Sequence, residues 1–365
     1  MSYPHDLPTL LHSAVQQGAS DLHLVVDMPP IMRRHGELLS LYEQKLETQE
    51  CRDMILDILT NAQRATLEKN LELDFALQVS DVGRFRGNIH FSRGKMEAAF
   101  RHIPNEIPTL NDLGHPKSIN KILYMERGLI LITGITGSGK STTMASLIQT
   151  IAELRKCVII TVEDPVEYIL ESKNSVIKQR EVGTDTLSFT EGLRHVLRQD
   201  PDVILVGEMR DLETVRAAIS AAETGHLVIA TLHTIDAPKA IDRIVDAFPA
   251  EQQAQIIAQL ANSLEAIVSQ RLLPVANGDG RVLVTETLFA NNAVRACIRE
   301  KRWEQLVSII EISGNEGMNT IDSTLTNLLT SGQISLEEVM ANARDSNAVL
   351  NSMPAEPEPK RRKLF

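Results

Sequence analysis

Residues 128–141 read GLILITGITGSGKS, and the reading of this stretch decides the fold. Residues 128–133 form a short, nearly continuous apolar run, the pattern of a strand buried on both faces of a parallel sheet. Residues 134–141 then match G-x-x-x-x-G-K-[ST], and the apolar periodicity that begins at Lys140 predicts a helix to Leu154. Strand, glycine-rich loop and helix in that order make a phosphate cradle. The glycines let successive backbone N–H groups, from Thr136 through Gly137, Ser138, Gly139, Lys140, Ser141 and Thr142, turn toward one anion. The start of the helix adds its positive end. Lys140 brings a point charge to the β- and γ-phosphates, and the Ser141 hydroxyl can ligate Mg²⁺. ATP and Mg²⁺ are therefore the expected ligands.

Downstream, the alternation of apolar strand, polar loop and helix repeats. Strands are expected at 158–162, 203–206 and 227–231, and helices at 189–198 and 212–224. Ser188 with Glu191 has the spacing of a capping box, and Asp211 suits an N-cap. This is the pattern of a doubly wound α/β core, whose ligands bind outside the carboxyl ends of the strands. After Ala237 the chain reads as mainly helical, apart from a strand at 280–288. Upstream the pattern differs. A helix at 7–17, a strand at 21–26 and a hairpin over 31–41 turning at His35-Gly36 come first. Two helices follow at 51–59 and 63–71, the second opened by a Thr60/Gln63 capping box, and then strands at 73–78, 84–92 and 96–102. That mixture predicts a small α+β domain over residues 1–102. Three prolines mark 103–116 as a linker, 117–345 as the ATPase domain with a helical C-terminal part, and the Pro- and Glu-rich end at 346–365 as a disordered tail.

Composition excludes several classes. A net charge of −11 and only 4% aromatic residues fit neither a basic groove nor a stacking platform, so no nucleic-acid partner is expected. The one dense basic run, Lys360 to Lys363, reads as part of a solvated tail, with an electrostatic contact to an acidic partner or lipid surface as the alternative. Three scattered cysteines without a C-x-x-C pair argue for a reducing compartment and against a structural zinc. Nothing approaches a membrane-spanning run, and Met1 to Pro8 lacks the pattern of a secretory signal. A cytoplasmic protein is expected.

Binding a nucleotide is not hydrolysing it; hydrolysis needs groups that orient water and stabilise developing charge. Three candidates stand at the ends of the sheet strands: Glu163, Glu208 and His233. Glu208 ends the strand after the motif's second segment and is assigned to Mg²⁺ or to its water ligand. Glu163 is then the candidate for positioning the attacking water. Together with Lys140 these form the expected catalytic set.

The resemblance to a family rests on longer stretches. IITVEDPV at 159–166, DPDVILVGEMRDLE at 200–213 and AAETGHLVIATLHT at 221–234 are similar to the Asp box, Walker B and His box of the secretion superfamily ATPases. Further similarity lies in ASDLHL at 19–24, GRFR at 83–86, QRE at 179–181, FPAE at 248–251, AVRACIRE at 293–300 and GMNTID at 317–322. Over residues 7–340 the chain resembles the type IV pilus retraction branch of that family. Ile135 stands where the family usually has proline, a change that removes no phosphate ligand. The extra N-terminal domain and four-cysteine zinc motif of the extension branch have no counterpart in this sequence.

The resemblance implies a PAS-like N-terminal domain, a RecA-like ATPase domain and a homohexameric ring. It implies ATP hydrolysis coupled to pilin depolymerisation at the cytoplasmic face of the inner membrane, with twitching motility as the outcome. The implied partners are an inner-membrane pilus platform protein and a paralogous retraction ATPase. Arg84, Arg86 and Arg101 would be the arginines that reach a neighbour's nucleotide, and His226 with His233 the His-box pair. Three other roles stay open on sequence. One is that of the accessory retraction ATPase. The others are a nucleic-acid translocase and a nucleotide-gated scaffold that hardly turns over.

Overall fold

The computed structural model describes residues 3–4, 6–34, 36–103, 106–278 and 280–351. His35 of the expected turn, Pro104 and Asn105 of the expected linker, and the tail from 352 with its basic run lie outside the described residues. In chain order the first elements are α1 (Leu7–Gln16), β1 (Asp21–Leu24), β2 (Ile31–Arg34), β3 (Glu37–Ser40), α2 (Thr48–Asp57), α3 (Asn61–Asn70), β4 (Glu72–Val79), β5 (Gly83–Ser92) and β6 (Lys95–Ile103). Next come β7 (Gly128–Thr133), α4 (Lys140–Leu154), β8 (Val158–Glu163), β9 (Val176–Glu181), α5 (Phe189–Val196), β10 (Val203–Val206), α6 (Leu212–Glu223) and β11 (Leu227–Leu232). The chain continues through α7 (Ala237–Asp246), α8 (Ala250–Ser263), β12 (Leu264–Pro274), β13 (Arg281–Phe289), α9 (Asn292–Arg299), α10 (Leu306–Ile312), α11 (Ile321–Thr330), α12 (Leu336–Asn342) and α13 (Ser346–Asn351).

Two compact units result, one of residues up to Thr109 with Ala145–Asp200, the other of Leu110–Met144 with the chain from Pro201 onward. In the first, an antiparallel sheet runs β3-β2-β1-β6-β5-β4. Leu7, Leu10, Leu11 and Ala14 of α1 recur at helical spacing and are buried in one core with Leu22, Phe85, Ile89 and Phe100 from the strands. Asp6 caps α1 by accepting from the Thr9 amide, and Thr60 and Gln63 form the full capping box on α3. Strands β8 and β9 form a parallel pair in this unit. The reason segment 145–200 groups with the N-terminal strands is visible in one contact: Arg84 of β5 and Glu181 of β9 are ion-paired at 3.3 Å and largely buried.

In the second unit the strand order is β13-β12-β7-β11-β10. β7, β10 and β11 are buried at every position, as continuous apolar runs demand. β12 pairs in parallel with β7 and antiparallel with β13. The region after Ala237 is thus less helical than its sequence suggests. α8 runs straight into β12 at Leu264 with no glycine or proline between them, and the stretch Ala266–Gln270, buried at every position, shows no alternation to betray it. Asp211 caps α6 as expected, through the Thr214 amide. On α5 only half of the expected box forms: Ser188 accepts from the Glu191 amide, while the Glu191 carboxylate turns to Arg194 at 2.8 Å. The expected tail also begins later, because α13 continues the fold and buries Val349 against Leu273, Val284 and Leu325.

Candidate functional site

The phosphate loop follows β7 directly. Gly134, Gly137 and Gly139 all have positive φ, which side-chain-bearing residues rarely adopt, so the backbone can curl into a nest here. A Cβ on Gly134 would lie 2.4 Å from the Gln270 carbonyl oxygen and 2.5 Å from Ser138 Oγ, so no larger residue fits. Lys140 Nζ donates to the Gly134 carbonyl at 2.8 Å and the Ile135 carbonyl at 3.0 Å, which holds the ammonium over the loop it serves. Ile135, Thr136 and Gly137 are exposed at the rim, and Ser141 is half-buried on the first turn of α4. The donor set fits a nucleotide triphosphate: an anion nest, a helix start, a lysine and a serine hydroxyl in register.

Two residues that sequence reasoning missed hold this loop and the helix that follows it. Gln270 of β12 is buried and donates through Nε2 to the Ser138 carbonyl at 2.8 Å; beside it Thr133 Oγ1 donates to Ser269 Oγ at 2.8 Å. It was invisible because its strand was. His115 falls within the expected linker, yet it is 7% exposed and its Nε2 lies 2.9 Å from Thr143 Oγ1 on α4. Burial pulls its pKa down to about 4, so the ring is neutral at any working pH. The Gly-His-Pro at 114–116 gave only a turn signal, and nothing local announced burial.

Because β7, β10 and β11 are parallel and in register, their carboxyl ends share one edge of the sheet. Glu208 lies two residues past β10 and His233 one past β11, both on the edge from which the phosphate loop springs. Glu208 Oε1 is 3.0 Å from His233 Nε2, and its Oε2 takes the Arg210 guanidinium at 2.8 Å. Met209 donates its amide to the Thr231 carbonyl, and Thr231 Oγ1 donates to the Gly207 carbonyl, so both strand exits are tied. His226 is not brought to this edge. It precedes β11, its Nδ1 lies 3.0 Å from the Ala221 carbonyl, and its own carbonyl accepts from the Gly128 amide at the start of β7. The whole of β11 lies between it and His233, seven residue steps or roughly 23 Å at ~3.3 Å per residue.

The first unit carries Glu163 and the three arginines. Glu163 Oε1 accepts from Thr161 Oγ1 at 2.6 Å and from Gln179 Nε2 at 3.2 Å. Burial pushes its pKa up to about 7 against the pull of those two donors. Gln179 also accepts from the Leu170 amide and donates to the Tyr168 carbonyl, and Glu181 accepts from the Val166 amide, so β9 staples the loop that leaves Glu163. The QRE stretch noticed in the sequence has this structural use. Arg84 is ion-paired inside the chain with Glu181 at 3.3 Å. Arg86 and Arg101 face each other across β5 and β6 and are exposed; Arg101 contacts Asp21 at 2.9 Å while 69% exposed.

A glycine-nested phosphate loop with its lysine, at the carboxyl edge of parallel strands that also present a carboxylate and a histidine, defines a P-loop nucleotide-binding protein. The chain belongs to the type II/IV secretion system protein family, whose model matches residues 4–341. It is 44% identical over 93% of its length to the type IV pilus retraction ATPase PilT of Pseudomonas aeruginosa, covering 98% of that protein. It is 37% identical to the type IV pilus ATPase PilU of the same organism, over 93% of this chain and 88% of that one. Among solved structures it resembles the pilus retraction motor PilT with bound ADP, with a TM-score of 0.88 and 43% identity, covering 95% of this chain and 99% of that one. That likeness bears out the expected fold, a β-rich N-terminal domain followed by a larger α/β ATPase domain. No helix among the described residues is long and apolar enough to cross a membrane.

Proposed function

We propose that this chain is an ATP-driven motor of type IV pilus retraction, acting as a homohexameric ring at the cytoplasmic face of the inner membrane against the pilus platform protein. The observation that carries the reading is the sheet edge that presents the phosphate loop, Glu208 and His233, in a chain similar over 93% of its length to a pilus retraction ATPase. Lys140 and the loop amides bind the phosphates. Ser141 and Glu208 are the residues that would hold Mg²⁺, which when bound neutralises charge developing between the β- and γ-phosphates. Glu163 takes the proton of the attacking water, a task suited to a carboxyl tuned near neutrality. His233 keeps the Glu208 carboxylate oriented. Arg86 and Arg101, exposed and adjacent, are supplied to a neighbouring subunit. The net charge of −11 disfavours a nucleic-acid translocase.

The test is genetic. Deletion abolishes twitching and leaves cells with excess surface pili; the wild-type gene restores both, and a Lys140→Ala gene restores neither. A deletion strain without pili would make the chain an assembly motor instead. One that twitches normally but pulls weakly would favour the accessory role suggested by the similarity to PilU.

A further inference from the structure

Glu286 of β13 is a carboxylate 1% exposed, opposite Ser269 of β12 and between the buried Thr285 and Thr287. Desolvation raises its pKa, and three things oppose that: Arg344, the Ala237 amide and the Ile321 backbone. The Ala237 amide donates to Glu286 Oε1 at 3.1 Å. That amide belongs to the first turn of α7, whose N-cap is Asp236. One nitrogen of Arg344 reaches both acids, lying 3.2 Å from Glu286 Oε2 and 3.5 Å from Asp236 Oδ2. Arg344 sits between α12 and α13, and its backbone is itself fixed: Asp322 of α11 accepts the amides of Arg344 at 2.7 Å and Asp345 at 2.9 Å, and Arg271 of β12 donates to the Asn342 carbonyl at 3.1 Å. Asp236 is three residues from His233, at the end of the short segment that leaves β11.

We infer that Arg344 is a positioning residue for the His233–Glu208 pair. The C-terminal helices clamp the start of α7 through a buried carboxylate, and the start of α7 fixes the four-residue segment on which His233 stands. The helices are therefore coupled to the site without touching it. An arginine is needed for its charge more than for its fork, since one nitrogen makes both contacts. Removing it leaves Glu286 buried without its cation and Asp236 without its second partner, which drives the α7 start outward to find water. Neutralising Glu286 in the same chain removes that drive. The coupling rests on the proposed role of His233 in ATP turnover.

The experiment uses the full-length protein. Turnover, KM for ATP, thermal midpoint and the His233 imidazole resonances (assigned through His233→Ala) are measured in four chains: wild type, Arg344→Ala, Arg344→Lys and Arg344→Ala/Glu286→Gln. In Arg344→Ala, kcat falls about tenfold with KM for ATP within twofold, and the His233 resonances move. Arg344→Lys stays within about threefold of wild type, and Glu286→Gln returns the double variant to within about threefold. The double and lysine variants keep the test open if Arg344→Ala does not fold. A folded Arg344→Ala with unchanged kcat and unmoved His233 resonances would overturn the inference, as would lost kcat that Glu286→Gln fails to recover while the thermal midpoint recovers. If His233→Ala itself turns over normally, the catalytic reading of His233 falls, and the resonances alone then decide the coupling.

Discussion

Glu163 and Glu208 both stand at the exits of apolar strands, and their surroundings are opposite in kind. Glu163, in the first unit, is held by neutral donors, the Thr161 hydroxyl and the Gln179 amide, in a place where burial lifts its pKa to about 7. Glu208, in the second, lies between the Arg210 guanidinium and the His233 imidazole. Desolvation outweighs the hydrogen bonds and the Arg84 charge at Glu163 and leaves a carboxyl that can accept a proton near neutrality, whereas Glu208 makes its contacts with ionisable side chains. In the proposed function the two carboxylates take different tasks, Glu163 with the attacking water and Glu208 with Mg²⁺, and what distinguishes them is environment rather than chemical type.

The largest effect tests the frame in which both act. Lys140→Ala deletes the only cation of the phosphate loop, so turnover should vanish and calorimetry should show ATP affinity greatly weakened. Normal turnover in that variant would end the P-loop reading and the comparison with it. Next comes the split site. An arginine supplied in trans is worth about 10³–10⁵ in turnover. Arg86→Ala/Arg101→Ala should therefore be nearly inactive yet bind ATP, and mixing it with Lys140→Ala under subunit exchange should restore part of the activity. If mixed oligomers form and stay dead, the arginines act within one subunit or not at all.

The comparison itself is broken or sharpened by single carboxylates. Glu163→Gln keeps the shape and should bind ATP while losing roughly 10²–10⁴-fold in single-turnover rate. Glu208→Gln should also lose turnover, but with a raised Mg²⁺ requirement that Glu163→Gln does not share. A Mg²⁺ phenotype in Glu163→Gln alone would exchange the two roles. The smallest effect is in pH. A base must be ionised to work, so kcat of the wild type should fall tenfold per unit as pH drops below about 7, where burial has placed Glu163. Gln179→Ala removes a donor that favours the carboxylate, so the same limb should move to higher pH and lower kcat a few-fold near neutrality. A limb that does not move would show Gln179 to be a brace for the Tyr168–Leu170 loop and nothing more.

What the sequence made legible follows from locality. The phosphate loop, the caps at Asp211 and Thr60, and the strand ends bearing Glu163, Glu208 and His233 are all written in contiguous letters with a fixed physical meaning. What stayed hidden depends on pairing. β12 has the composition of the helix it continues, and only its neighbours β7 and β13 make it a strand. With β12 went Gln270, and with burial went His115, whose neutral ring braces Thr143. Arg84 shows the converse: its motif is contiguous, but its ion-pair partner Glu181 lies far along the chain. His226 and His233 share one motif, yet a strand of six residues separates them.

The brace from Gln270 to Ser138 spans 132 positions of chain. During synthesis the loop emerges long before the strand that backs it, and for that interval the chain holds every letter of the motif without its rear wall. Since a ligand protects only the state it binds, ATP can begin to stabilise the newborn protein only once residue 270 has left the ribosome and β12 has docked on β7. Products ended by a premature stop between α4 and β12 never reach that point. They gain no shelter from cellular nucleotide and pass to proteolysis.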